Sequence, residues 1–173
     1  MPASVIIRPV QAEDCVELVN SNLASIALHE PWVYPCRDEV GFHAYLKNCG
    51  TERAVGLVAR ERSSGRIAGI VNISEIVRGF FQSAYLGYYG AVGMSGRGLM
   101  SEAVALAVTH AFKDLGLHRL EANIQPGNTP SRALVERLGF RQEGYSPRYL
   151  KIGGEWRDHE RWAILSEDWP ARS

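Results

Sequence analysis

Val92-Gly93-Met94-Ser95-Gly96-Arg97-Gly98-Leu99 is the stretch on which the reading of this chain turns. Before it runs Ala84 to Val92, rich in large apolar and aromatic residues. After it, apolar residues recur at 99, 100, 103, 104, 107, 108, 111, 112 and 115. The first run predicts a strand and the second a helix with one wide apolar stripe, ended by Gly116. Glycines in the connection let the backbone approach a ligand closely and aim its N–H groups at it. The start of the helix adds unsatisfied donors and a partial positive charge, which suits a pyrophosphate. The stretch is not a dinucleotide fingerprint, because the third glycine and the following acid are absent. Nor is it a P-loop, since no Gly-Lys-Ser/Thr follows.

Upstream, Val5 to Arg8 reads as a short strand ending at Pro9. Apolar spacing predicts a helix from Asp14 to about Ala27. His29 to Tyr34, with Pro31 and Pro35, reads as a loop. A second helix is predicted from Asp38 to about Asn48, stopped by Gly50. Ala54 to Ala59 and Ile67 to Val77 are strand-like around a turn at Ser63-Ser64-Gly65-Arg66. With Ala84 to Val92 they make an antiparallel meander, its second loop at Arg78 to Ser83. Downstream, Arg119 to Gln125 is a strand. Asn128-Thr129-Pro130 opens a short helix with an Asn cap and an early proline, and Leu138-Gly139 closes it. Phe140 to Leu150 and Trp156 to Leu165 form a last hairpin across Gly153-Gly154. This order predicts an α/β domain (α+β in arrangement, three layers) in one unit, residues 1–173.

Composition narrows the functional classes. The chain has 173 residues, 46% of them apolar and 22% charged, which fits one folded core. It carries 19 Lys+Arg and 19 Asp+Glu; residues 1–86 hold 8 against 9 and residues 87–173 hold 11 against 10. Neither half has the basic footprint of a nucleic-acid or membrane-surface protein. A local surplus at Arg132, Arg137, Arg141, Arg148 and Lys151 equally suits the phosphates of a cofactor. Cys15, Cys36 and Cys49 form no paired motif, and the histidines show no ligand spacing, so no metal is expected. Without a signal-peptide pattern at Met1 to Val10, a cytoplasmic location is expected.

Strand, Gly-x-Gly, long helix, strand, Asn128, short helix and Leu138-Gly139-Phe140 together resemble the GNAT N-acetyltransferase superfamily. The finer likeness is to its ribosomal-protein-alanine N-acetyltransferase branch. It is carried by Asn72, Val77-Arg78-Gly79, Leu86-Gly87-Tyr88, Gly96 to Ala103, Arg119, Asn128, Ser131, Leu138 to Phe140, Glu143-Gly144-Tyr145 and Trp156 to His159. The resemblance implies a mixed, mostly antiparallel sheet of about seven strands flanked by about four helices. It also implies acetyl-CoA as donor and a primary amine as acceptor, either a protein N-terminus or a small molecule, with a monomer or homodimer as the working unit. The cofactor would meet Ala91, Val92, Met94, Gly96, Arg97, Gly98, Leu99, Met100, Asn128 and Ser131. Trp32, Tyr34 and Tyr88 would border the acceptor.

Three positions depart from the superfamily pattern. Gly93 stands where Gln or Arg is usual. Tyr85 stands where many members carry a general-base Glu, and Val135 where many carry a proton-donating Tyr. Ser131 is then the expected donor to the leaving thiolate, with Tyr145 as alternative. Glu75 and Glu121 are the candidate bases. Asp158-His159 invites a dyad, but neighbours on a strand face opposite ways, so the pair is read as structural. An α-amine with pKa about 7.7–8.0 is roughly one-quarter neutral near neutral pH, against about one part in a thousand for lysine. That gap of about 3.5 kcal/mol favours an α-amine where the usual Glu is missing. The alternatives are a small-molecule amine acetyltransferase (antibiotic, polyamine or amino acid) and a CoA-binding regulator without activity.

Overall fold

The computed structural model describes residues 4–170. Strand β1 (Val5–Pro9) leads to helices α1 (Cys15–Ala24), α2 (Ile26–His29) and α3 (Glu39–Cys49). A meander of β2 (Val55–Glu61), β3 (Ile67–Val77) and β4 (Ser83–Gly90) follows. Then come α4 (Leu99–Lys113), β5 (Arg119–Ile124), α5 (Thr129–Arg137), β6 (Arg141–Ile152) and β7 (Glu155–Leu165). The strands form a seven-stranded sheet in the order β1-β2-β3-β4-β5-β7-β6. Only β4 and β5 run parallel, as the long crossover through α4 requires.

Five α-helices stand where about four were expected, because the first predicted helix is broken at Ser25. The Ser25 hydroxyl donates back to the Ser21 carbonyl at 2.6 Å, a bond that bends helices. It also accepts from the Val92 N–H at 2.9 Å, so the break is tied to the end of β4. Helix continues after it as α2, through the first residue of the predicted loop. At the other side of this contact β4 stops at Gly90, two residues short of the expected Val92.

Helices cover both faces of the sheet. Leu57, Ala59, Ala68 and Ile73 pack with α4 and α5, while Val58, Ile67 and Ile70 pack with Leu18 of α1 and Phe42 of α3. Ala103, Ala107 and Ala111, fully buried at four-residue spacing, form a strip of small side chains along the packed side of α4. Asp14 anchors the entry to α1. Its carboxylate accepts from Arg8 at 2.6 and 2.7 Å, from Arg60 at 2.8 Å and from the Gln11 N–H. These bonds outweigh the cost of burial and hold its pKa at about 2.

One irregularity positions the site. Pairing between β4 and β5 covers only Ser83 to Tyr85 against Arg119 to Glu121. Beyond that the two parallel strands part, with β4 still paired to β3 and β5 to β7. The gap opens at the end of β4 that leads into the glycine loop.

Candidate active site

Two hollows meet in the gap. The larger, of about 520 Å³, runs between the end of β4, the glycine loop and α5, with α2 as its roof. The smaller, of about 130 Å³, lies between Leu86 to Tyr88 on one side and Ala122 to Gln125 on the other. Trp32, Val33, Tyr88, Asn128 and Ser131 line both. The Tyr88 hydroxyl lies 2.8 Å from Ser131 Oγ and 3.1 Å from the Ser131 carbonyl. A carbonyl only accepts, so the arrangement that satisfies both contacts has Tyr88 donating to it and Ser131 donating to Tyr88. Burial pushes the Tyr88 phenol up to about 12, keeping it protonated.

The large hollow is built for an anion and an extended amide. Gly96 and Gly98 take φ of 74° and 76°, which favours glycine, and Gly98 caps α4. The N–H groups of Gly96, Gly98, Leu99, Met100 and Ser101 have no hydrogen-bond partner among the described residues. The Arg137 guanidinium, 3.2 Å from Ser101 Oγ, joins this end of the cleft. On the opposite wall His29 donates through Nε2 to the Gly90 carbonyl at 2.8 Å. Its Nδ1 is then an acceptor, buried and without a partner among the described residues. Burial pushes the His29 pKa down, so the ring stays neutral. Asn128 Oδ1 accepts from the Ser131 N–H at 3.3 Å, capping α5 as expected and turning Ser131 toward both hollows. Phosphate oxygens at the free N–H groups, and a pantetheine amide N–H at His29 Nδ1, would satisfy the unpaired atoms of this cleft.

Several expected contributions are not brought in. The Met94 N–H is taken by the Ala91 carbonyl at 3.1 Å, because the chain turns there; Met94 lines the cleft with its side chain. The Ala91 and Val92 N–H groups are bonded to Ala68 and Ser25. Arg97 turns its guanidinium to Glu61 and to Met94 Sδ, away from the cleft. Tyr34 packs its ring against the β6–β7 turn, where a Cβ on Gly153 would come within 2.6 Å of it, and lines neither hollow. Trp32 lies over Gly127, where a Cβ would come within 3.2 Å.

Neither candidate base faces a hollow. Glu75 sits at an irregularity of β3 with φ 49°, exposed and paired with Arg53. Glu121 is held by Arg119, which also binds Glu143. Tyr145 is half-exposed on β6 and donates to Asp158 at 2.6 Å, a bond that raises its pKa. Among the described residues, no Asp or Glu lines either hollow. Three lining residues carry chemistry that no sequence motif marks: His29, Asn123 and His159. The side chains of Asp158 and His159 point opposite ways along β7: Asp158 faces Tyr145 and the Arg148 N–H, while His159 faces the small hollow. Only the register of β7 on β5 could have put His159 there, and no local pattern encodes it.

Comparison with known proteins agrees with this geometry. Residues 4–141 match the acetyltransferase (GNAT) domain family. The "Probable N-acetyltransferase YjcK" of Bacillus subtilis (strain 168) is 42% identical over 106 residues, 61% of this chain and 59% of that protein. The match thus spans less than two-thirds of that relative. The "[Ribosomal protein uS5]-alanine N-acetyltransferase" of Escherichia coli (strain K12) is 34% identical over 178 residues, 95% of this chain and 89% of that one. Among solved structures, "Mycobacterium smegmatis RimJ in complex with CoA-disulfide" superposes with a TM-score of 0.87 at 32% identity, covering 96% of this chain and 84% of that one.

Proposed function

The chain belongs to the GNAT acetyltransferase family, an acetyl-CoA-dependent N-acetyltransferase, and from that premise we propose that its acceptor is the N-terminal α-amine of a protein of the ribosomal kind. The observation that carries this reading is the absence of any carboxylate from the lining of both hollows. A polyamine keeps several positive charges at neutral pH and needs carboxylates to replace their hydration. A lysine amine needs a base that offsets about 3.5 kcal/mol more than an α-amine does. A small chamber bounded by Trp32, Val33 and Tyr88 suits one amine at the end of an extended chain. The relative named for ribosomal protein uS5 alanine, alike over nearly the whole chain, supports the same reading.

The roles follow from the chemistry of each group. The N–H groups of Gly96, Gly98 and Leu99 to Ser101, with Arg137, hold the pyrophosphate. His29 Nδ1 and the Asn128 amide hold the pantetheine arm. Acetyl then sits at the Tyr88–Ser131 wall, open to an amine from the other side. Acetyl-CoA supplies the activated thioester when bound. Ser131 turns its hydroxyl proton from Tyr88 to the departing sulfur, while Tyr88 stays fixed on the Ser131 carbonyl. Transfer is direct: Cys36 and Cys49 line neither hollow, and burial pushes both thiols up, away from thiolate.

The test incubates the protein and acetyl-CoA with peptides starting in Ala or Ser, an N-terminally blocked lysine peptide, and spermine. CoA release and the site of the added acetyl are measured. Acetylation of the free α-amines is expected. Transfer confined to spermine or to the lysine side chain overturns the proposal, and CoA binding without turnover on any amine makes the protein a sensor.

A further inference from the structure

The small hollow holds two hydrogen-bond acceptors that no group among the described residues satisfies. Asn123 Oδ1 is buried without a partner among the described residues. His159, on β7, is 3% exposed, and its Nδ1 lies 2.9 Å from the carbonyl of Arg157 on its own strand. A carbonyl cannot donate, so Nδ1 bears the proton and the neutral ring carries its lone pair on Nε2. Nε2 has no hydrogen-bond partner among the described residues. Both residues line the hollow together with Tyr88 and Ser131. Register explains the meeting: Asn123 lies opposite Arg161 and Ile124 opposite Glu160, so His159 comes level with Gln125, where β5 ends.

We propose that His159 Nε2 is the proton acceptor for the incoming amine, with Asn123 Oδ1 accepting a second N–H to orient it. The assignment rests on the reading of the small hollow as the amine site. It fills the role left vacant by Glu75 and Glu121, which face elsewhere.

The amine arrives as ammonium and loses one proton to Nε2, which later passes it to solvent. The freed electron pair forms the C–N bond to the acetyl carbon as the C–S bond breaks. Ser131 hands its hydroxyl proton to the sulfur and takes the second proton of the nitrogen. The products are the amide, the CoA thiol and one proton.

The surroundings keep this imidazole neutral and available. Tyr149 of β6 packs edge-on with ring centroids 6.3 Å apart, and Tyr88 faces it from β4. Asn128 and Ser131 face it from the start of α5, and Trp32 from the loop after α2. The neighbouring charges are committed. Asp158 binds Tyr145 and the Arg148 N–H, Arg157 pairs with Glu155, and Glu160 pairs with Arg132 at 2.9 Å and accepts from Trp162. The Arg161 guanidinium lies beside Gly144 on β6. Burial dominates and pushes the His159 pKa down, against the smaller opposing pulls of the Arg157 carbonyl and then Asp158. A base of this kind also selects its acceptor. Deprotonating lysine rather than an α-amine is harder by about 2.5 pKa units whatever value the imidazole takes, a factor of about 300.

The test uses H159N, whose amide can keep the bond to the Arg157 carbonyl but offers no base, and H159A, which opens room for added imidazole. Both are assayed with an alanyl peptide and with spermine in parallel, so the result does not depend on which amine is native. For H159N, kcat falls about 100-fold. Its KM for acetyl-CoA stays within about twofold, and the low-pH limb of kcat disappears. Imidazole restores part of the H159A rate. A kcat for H159N within about threefold of wild type, or an unchanged low-pH limb, overturns the proposal. Nitrogen-15 NMR of histidine-labelled protein tests it without turnover. A neutral ring protonated on Nδ1 at pH 7 is expected; an Nε2–H tautomer or a charged ring overturns it. If wild type acetylates neither amine, the acceptor reading fails while the NMR result still judges the tautomer.

Discussion

The large hollow, proposed as the donor cleft, and the small one, proposed as the acceptor chamber, share a wall at Tyr88 and Ser131 but are made of different material. The donor side is largely backbone: free N–H groups at Gly96, Gly98 and the first turn of α4, one contiguous stretch of chain. The acceptor side is largely side chains, with Trp32, Tyr88, Asn123, Asn128 and His159 brought together from four distant segments. A site made of backbone tolerates sequence change so long as the chain keeps its path. A site made of side chains changes its ligand with a single substitution. This contrast accounts for one fold carrying one donor and many acceptors.

The largest expected effect lies at the shared wall. S131A should lower kcat about 100-fold, measured by thiol release, while the affinity for CoA stays near wild type. Equal losses in both would mean that Ser131 is part of the donor cradle, and the two halves would not be separable there. Next comes the backbone itself. G98V forces a β-branched residue to φ 76° in a position where a Cβ meets no protein atom. Turning one cradle N–H away from a phosphate costs about 2 kcal/mol, so calorimetry should show CoA binding about 30-fold weaker. W32A is smaller and tells the sides apart. It should raise the acceptor KM about tenfold and leave CoA binding within about twofold; the reverse pattern would assign Trp32 to the donor side.

Acid should weaken both halves together. His29 on the donor wall and His159 on the acceptor wall both have lowered pKa values through burial. The unfolded chain therefore binds more protons than the folded one below its ordinary histidine pKa of about 6.5. Stability is fully present above that value and is lost as pH falls through the lowered pKa values. Urea midpoints at pH 7 and pH 5 should show the drop, and H29Q should show less of it. The smallest effect is expected of E75Q and E121Q, whose rates should stay within about twofold of wild type. A tenfold loss in either would put a carboxylate back into the acceptor chemistry.

Legibility in the sequence followed the same division. The glycine spacing, the stripe on α4 and the Asn128 cap are local signals, and each element they implied is present. The break at Ser25 is not legible locally: the back-bond to Ser21 is one any helical serine can make, and the contact that fixes it here comes from Val92, 67 residues away. The Met94 N–H is taken by a turn onto Ala91, whose one mark in the sequence is Gly93, which takes φ 80° there. Trp32 and Tyr88 line both hollows. Tyr34, Tyr145, Glu75 and Glu121 face elsewhere, because the rotation of a side chain about its strand or loop is set by partners such as Gly153, Asp158, Arg53 and Arg119. Asn123 and His159 needed the β5–β7 register, a relation between residues far apart in the chain.

The early parting of β4 and β5 has a consequence for what can reach the chemistry. An outer edge of a sheet lies open to another sheet and invites flat association. Here the unpaired stretch is internal, flanked on each side by strands already paired, so a second sheet cannot dock on it. What fits is a single thread of chain. A protein acceptor must therefore present its first residues unfolded, and tails already buried in an assembled particle would escape modification. Timing relative to assembly, as much as recognition of a sequence, would then decide which copies of a target are acetylated.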